Sequence, residues 1–175
     1  TFDTLGFKYY AGHHLQYVGK NLIIKNEESG DNISLSKIHV NLERFQQIFL
    51  KQLNAHLVAI GMKNRYMQCI HDEPAPGDLA QYKYYAAMLK KYMPGVKSID
   101  ELSNHPALFS GSIDNEVFNL PGIILQKDKI VRERLNEGKG VWLYNCTSPY
   151  PPYPNSHIDV PLTECRLWPW LCMKY

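Results

Sequence analysis

The chain has 175 residues, 45% of them hydrophobic and 21% charged, which is ordinary for one globular domain with a real core and excludes a disordered chain. Its 19 basic and 17 acidic residues leave a formal charge of +2 without long runs of either sign, so no electrostatic footprint for nucleic acid is present. No stretch approaches the roughly 18 apolar residues of a membrane span.

In chain order, Leu5 to Ala11 carries the aromatic residues of a strand, and Gly12-His13-His14 reads as its turn, with His14 able to contact a ligand. Residues 25–37 hold a polar cluster without periodicity and read as an exposed loop. From Asn41, a plausible N-cap, Leu42, Phe45, Phe49, Leu53, Leu57 and Ile60 recur at spacings of three and four, and Gly61 follows as a stop. This predicts a helix that delivers the chain into a strand over 66–71. That strand ends in Asp72-Glu73-Pro74. Proline cannot donate to a sheet ladder and should hold Glu73 in an extended backbone, so two carboxylates would sit on a stiff strand tip. The plainer alternative is the acidic first turn of a following helix.

After Pro76-Gly77, the stripe Leu79, Tyr82, Ala86, Leu89 and Met93 predicts a second helix, closed by Pro94-Gly95. Residues 107–113 read as the next strand, with Asp114, Asn115 and Glu116 at its end. Asp128 to Asn136 reads as a short helix, and Val141 to Cys146 as a fourth strand carrying Tyr144 and Asn145. A stiff loop with four prolines, Thr147 to Asn155, follows. The last segment, from about Val160, should be helical, with a kink at Pro169.

Strand and helix alternating four times predict an α/β fold with a parallel sheet under helices. The absence of a Gly-rich phosphate loop weighs against a nucleotide-binding open sheet. In a (β/α)₈ TIM barrel the active-site groups gather at the strand C-terminal ends. His14, Asp72, Glu73, Asp114, Glu116, Tyr144 and Asn145 all read as lying at such ends. A complete barrel needs ~250 residues, so about four β/α units make a partial barrel, roughly half of one. The first residue is Thr and no signal-like segment precedes it, which suggests an excised or incomplete chain and leaves its compartment open.

The four cysteines show no CxxC spacing and are expected to be free thiols. The seven histidines show no metal-ligand spacing beyond the adjacent His13-His14, so neither a metal nor a cofactor is expected. The many tyrosines in loops suit stacking against a sugar ring.

Conventional glycosidases hold two carboxyl groups on different strands, ~5–5.5 Å apart for retention or ~6.5–9.5 Å for inversion. Neighbours in sequence do not naturally straddle a glycosidic bond. They suit the substrate-assisted route, in which the 2-acetamido oxygen of the sugar is the nucleophile. Asp72 would then orient the acetamido group and Glu73, kept protonated by partial burial and the like charge beside it, would protonate the leaving oxygen. Tyr144, Asn145 and Asn155 are candidate sugar contacts, with Asp114 and Glu116 able to line the pocket or cap a helix.

The stretches Cys69-Ile70-His71-Asp72-Glu73-Pro74, Val141-Trp142-Leu143-Tyr144-Asn145-Cys146 and Pro151-Pro152-Tyr153-Pro154-Asn155, in that order, resemble glycoside hydrolase family 123 and the related domain-of-unknown-function family 4091. Gly6 to Tyr10 with His14-Leu15 is similar to that family's preceding strand. The resemblance implies a (β/α)₈ catalytic domain that hydrolyses β-linked N-acetylgalactosaminides with retention, using Asp72 and Glu73. On it, residues 1–175 are a fragment of one catalytic domain, holding the third to sixth barrel strands without the β-sandwich domains that usually flank it. Two departures stand out: Gln16-Tyr17-Val18-Gly19 lacks an expected tryptophan, and Pro169 interrupts the final helix. The partner implied is an N-acetylhexosamine-containing glycan. Two other readings stay open: a conventional retaining glycosidase pairing Glu73 with Asp114 or Glu116, and a non-catalytic glycan-binding barrel. The isolated chain is expected to be inactive, because its open sheet edges lack partners.

Overall fold

The computed structural model describes residues 4–20, 22–34, 39–102, 105–119 and 128–174. Its centre is a five-stranded, wholly parallel sheet of β1 (Tyr10–Gly12), β4 (Tyr66–Gln68), β5 (Lys97–Glu101), β6 (Asn115–Asn119) and β7 (Gly140–Tyr144), in that spatial order. Each strand of this sheet lies beside its predecessor in the sheet, as successive turns of a (β/α) winding require. The fold is α/β, a partial (β/α)₈ barrel.

Helix α1 (His39–Ala59) buries Leu57 and half-buries Leu42, Phe45, Phe49 and Leu53 of the predicted stripe, while Gln46 and Leu50, one position beyond it, are buried as well. Ile60 falls beyond its end and is exposed. Helix α2 (Leu79–Tyr92) buries Tyr82, Ala86 and Leu89, with Met93 just past its last turn also buried. These two helices, with Tyr66, Ile70 and Phe109, make one continuous core. Helix α4 (Asp128–Asn136) covers β6 and β7 through Val131 against Phe118. Helix α5 (Leu162–Lys174) runs through Pro169. No helix among the described residues is long and apolar enough to cross a membrane, and all four cysteines are free.

Three expectations are corrected. The strand expected over 107–113 is instead the short helix α3 (Pro106–Phe109) followed by a 3₁₀ turn. Pro106 suits a first helical turn, and Phe109 turns inward against Tyr82, ring centroids 5.0 Å apart. The sheet has five strands rather than four, because neither β5 nor β6 was expected: β5 hides behind its buried Ser98 and Asp100, and β6 begins just past the supposed strand 107–113. β2 (Ile23–Lys25), which ends where the supposed loop 25–37 begins, and β3 (Asn32–Ser34), inside it, pair antiparallel as a hairpin; residues 35–37 lie outside the described residues.

Close packing inside the sheet shows at Gly12, opposite Gln68 in the β1–β4 ladder. A Cβ there would lie 1.8 Å from the Tyr66 hydroxyl, which donates to Gln68 Oε1 at 2.6 Å. Gly12→Ala is expected to cost about 1–3 kcal/mol by overpacking. Urea denaturation measures it; an unchanged midpoint would show that Tyr66 moves freely.

Candidate active site

All five strands point their C-terminal ends the same way, and a cleft of about 350 Å³ opens there, lined by His14, Cys69, Asp72, Glu73, Asp100, Glu101 and Tyr144 over a floor of Ile99 and Val117. A cavity of about 400 Å³ lies at the opposite end, between residues that begin strands, Tyr66, Lys97 and Asn115. Parallel α/β barrels do their chemistry at the C-terminal end, so the first cleft is the candidate.

The β4 ladder stops at Gln68. Beyond it, the carbonyls of Cys69 and Ile70 accept the amides of Leu15 (3.0 Å) and Gln16 (3.1 Å), tying the chain after β1 to the tip of β4. Gln46 of α1 holds that segment from behind, its amide donating to Val18 O at 2.9 Å. The arrangement brings His14 against Asp72, Nε2 to Oδ1 at 3.7 Å. Burial lowers the pKa of His14, with the Asp72 charge opposing, so the ring favours its neutral form at neutral pH.

Asp72 and Glu73 make a sharp bend beyond the C-terminal tip of β4, where both line the open cleft and are exposed; the partial burial expected of Glu73 is not found. The extended backbone expected of Glu73 is not adopted: its φ is +41°, in the left-handed region, where a non-glycine residue costs about 1–3 kcal/mol. The chain leaves the sheet here and must enter the 3₁₀ turn Pro76–Asp78 within a few residues. That exit is braced: Asp78 Oδ2 accepts Ala75 N at 2.9 Å, and His71 Nδ1 lies 3.1 Å from the Asp72 carbonyl.

Asp100 lies behind the bend, 2% exposed. Its oxygens accept the amide of Ile70 at 2.9 and 3.0 Å, the amide of His71 at 3.3 Å and the Tyr82 hydroxyl at 2.8 Å. Burial pushes its carboxyl up to about 8, against these donors, which favour the charged form. Across the cleft, burial raises the Tyr144 hydroxyl, and the charges of Glu101, Cys146 and Glu73 add to the shift.

His14, Cys69 and Asp100 are one group among the described residues whose ligand atoms, all within 4.8 Å of one another, could hold a metal ion. The donor set fits poorly. Asp100 already accepts three protein donors, and burial pushes the Cys69 thiol up to about 12, away from the thiolate a metal needs.

Of the residues singled out in the sequence, His14, Asp72, Glu73 and Tyr144 line the cleft. Asp114 and Glu116 do not, and their expected position at a strand C-terminal end is corrected. Asp114 precedes β6 and accepts Ser98 N and Oγ, both at 2.9 Å. Glu116, 0% exposed, pairs with Arg134 of α4 at 2.9 Å on the helix side of the sheet. Asn145 donates to Ser156 Oγ at 3.0 Å, outside the cleft lining. Asn155 is buried and donates to the carbonyls of Cys146 (3.1 Å) and Pro149 (3.0 Å), holding the proline-rich loop closed. Asp100 and Glu101 were missed because β5 was missed. The signal available was slight: after the Pro94-Gly95 stop the apolar residues Val96, Ile99 and Leu102 are spaced by three and do not alternate.

Residues 8–175 match the family described as "Glycoside hydrolase 123, catalytic domain". Among solved structures, the fold is similar to that of a family 123 glycoside hydrolase from Clostridium perfringens, studied for glycolipid glycan hydrolysis, with a TM-score of 0.62 and 18% identity over 83% of this chain. The matched region is 26% of that enzyme, so the chain spans about a quarter of its length. No match to a curated protein is found. With nearly its whole length matched by one family, from the segment before β1 to the end of α5, the chain belongs to the glycoside hydrolase 123 catalytic domain family.

Proposed function

We propose that this chain is part of a complete (β/α)₈ catalytic domain that hydrolyses β-linked N-acetylgalactosaminides with retention, the sugar's own 2-acetamido group acting as nucleophile. The observation that carries the reading is the sequence-adjacent pair Asp72 and Glu73 lining one cleft at the tip of β4. The carboxylates that a two-residue mechanism would draw from β6, Asp114 and Glu116, are committed to Ser98 and Arg134.

In the first step the acetamido oxygen attacks C1 as the bond to the leaving oxygen breaks, and Glu73 gives that oxygen its proton. Asp72 accepts a hydrogen bond from the acetamido N–H and offsets the positive charge of the oxazolinium ring. In the second step water attacks C1 on the face the leaving group vacated, Glu73 takes its proton, and the acetamido group is released. Tyr144 and His14 are the cleft residues suited to meet the sugar ring.

The test is p-nitrophenol release by the full-length protein from the β-N-acetylgalactosaminide beside the matched β-galactoside, which bears a 2-hydroxyl. Turnover confined to the acetamido substrate is expected. Comparable turnover of both would favour a conventional pair drawing on Glu101, and a folded protein that binds the sugar and turns over neither would be a glycan-binding barrel.

A further inference from the structure

The β4–β5 ladder pairs Met67 with Lys97 and Gln68 with Ser98, then ends. Continued by one more repeat, it would set Ile70 opposite Asp100, and there the contact is made by a side chain in place of a main-chain carbonyl. We propose that Asp100 is a positioning residue for the acidic pair. Its carboxyl group takes over from the sheet ladder and, through the amides of Ile70 and His71, holds the bend that presents Asp72 and Glu73. The inference rests on the proposed role of that pair.

Three observations join in it. Asp100 is itself fixed, because Tyr82 of α2, fully buried, donates to its Oδ2. The residue it supports, His71, is one step from Asp72 and also closes onto the Asp72 carbonyl. The bend contains Glu73 at φ +41°, a conformation that persists only where surrounding contacts over-determine it. His14 adds a second connection, its Nε2 lying 3.9 Å from Asp100 Oδ1 and 3.7 Å from Asp72 Oδ1. Asp100 reaches the cleft wall from behind the strand tip, 2% exposed and with its oxygens committed to Ile70, His71 and Tyr82, so it acts through the backbone and not by touching the reacting atoms.

The experiment compares wild type, Asp100→Asn, Asp100→Ala and Tyr82→Phe in the full-length protein. It measures kcat and KM on the aryl β-N-acetylgalactosaminide well below each melting temperature, and backbone amide exchange at Ile70 and His71. Asparagine keeps one oxygen to accept both amides, and Tyr82 can reverse to accept from its Nδ2, so protection persists and kcat stays within about tenfold of wild type. Alanine frees both amides, exchange there quickens relative to Met67 in β4, and kcat falls by about 100-fold with KM within a few-fold, as a misplacement of about 1 Å would produce. Tyr82→Phe loosens Asp100 alone and is expected to lower kcat about fivefold at unchanged KM.

Unchanged kcat in a folded Asp100→Ala overturns the proposal, since a merely structural residue would move only the melting temperature. Should that variant not fold, unchanged kcat in Tyr82→Phe overturns it instead. Wild type without turnover would sink the substrate reading, not the latch. The latch is then judged on exchange alone, and Ile70 and His71 amides equally protected in wild type and Asp100→Ala, or in Tyr82→Phe where the alanine variant does not fold, would refute it.

Discussion

Glu73→Gln is expected to lower kcat on a methyl β-N-acetylgalactosaminide by roughly two to four orders of magnitude, the usual worth of a general acid. Glutamine keeps the size of the side chain and removes the proton that the leaving oxygen needs. On the p-nitrophenyl substrate the loss should be smaller, because p-nitrophenolate departs without much help. Asp72→Asn should behave differently, since its partner is the acetamido group and not the leaving oxygen: its deficit should be alike on both substrates. Glu73 is exposed, and a side-chain change at such a position ordinarily moves stability by no more than about 0.5 kcal/mol, so the loss would be chemical and not a failure to fold. Steady-state kinetics on the two substrates give the answer. If Glu73→Gln hydrolyses the methyl glycoside within twofold of wild type, the acid is another residue.

Arg134→Met should produce the largest loss of stability at a site outside the cleft. Glu116 is fully buried on the helix side of β6, with Arg134 at 2.9 Å and Lys139 at 4.0 Å, and burial raises its pKa while these two cations oppose the shift. Taking away the guanidinium strands a carboxylate in the interior, which costs about 3–5 kcal/mol, only partly relieved by Lys139. A buried ion pair replaced whole by uncharged side chains is often close to neutral, so Glu116→Gln with Arg134→Met should recover most of the loss. Chemical denaturation of the two single variants and the double gives the coupling. The same proteins separate structure from chemistry: Glu116→Gln that folds should keep its kcat. If that kcat falls a thousandfold while the melting temperature holds, Glu116 is the nucleophile and the substrate-assisted reading is wrong.

Local pattern determined a good part of this protein from the sequence alone. The apolar repeats predicted α1 and α2 because a helix that must cover a sheet carries its contacts every three or four residues, whatever lies above it. Asp72-Glu73-Pro74 was legible as a bend beyond β4, because proline cannot continue a ladder, although the ladder itself ends earlier, at Gln68; His14 and Tyr144 were legible near strand tips. Tertiary contacts decided the remainder. β5 escaped notice because Ser98 and Asp100 are buried by polar contacts supplied from Asp114, Tyr82 and the tip of β4, none of them adjacent in sequence. Missing that strand, and reading one over 107–113, moved Asp114 and Glu116 to the wrong end of β6. Asn155 looked like a sugar contact, yet its amide is spent on two carbonyls of its own loop. Apolar periodicity records which face of an element is buried. What a buried polar group bonds to depends on which distant segments the winding of the sheet brings beside it, and that only the folded chain decides.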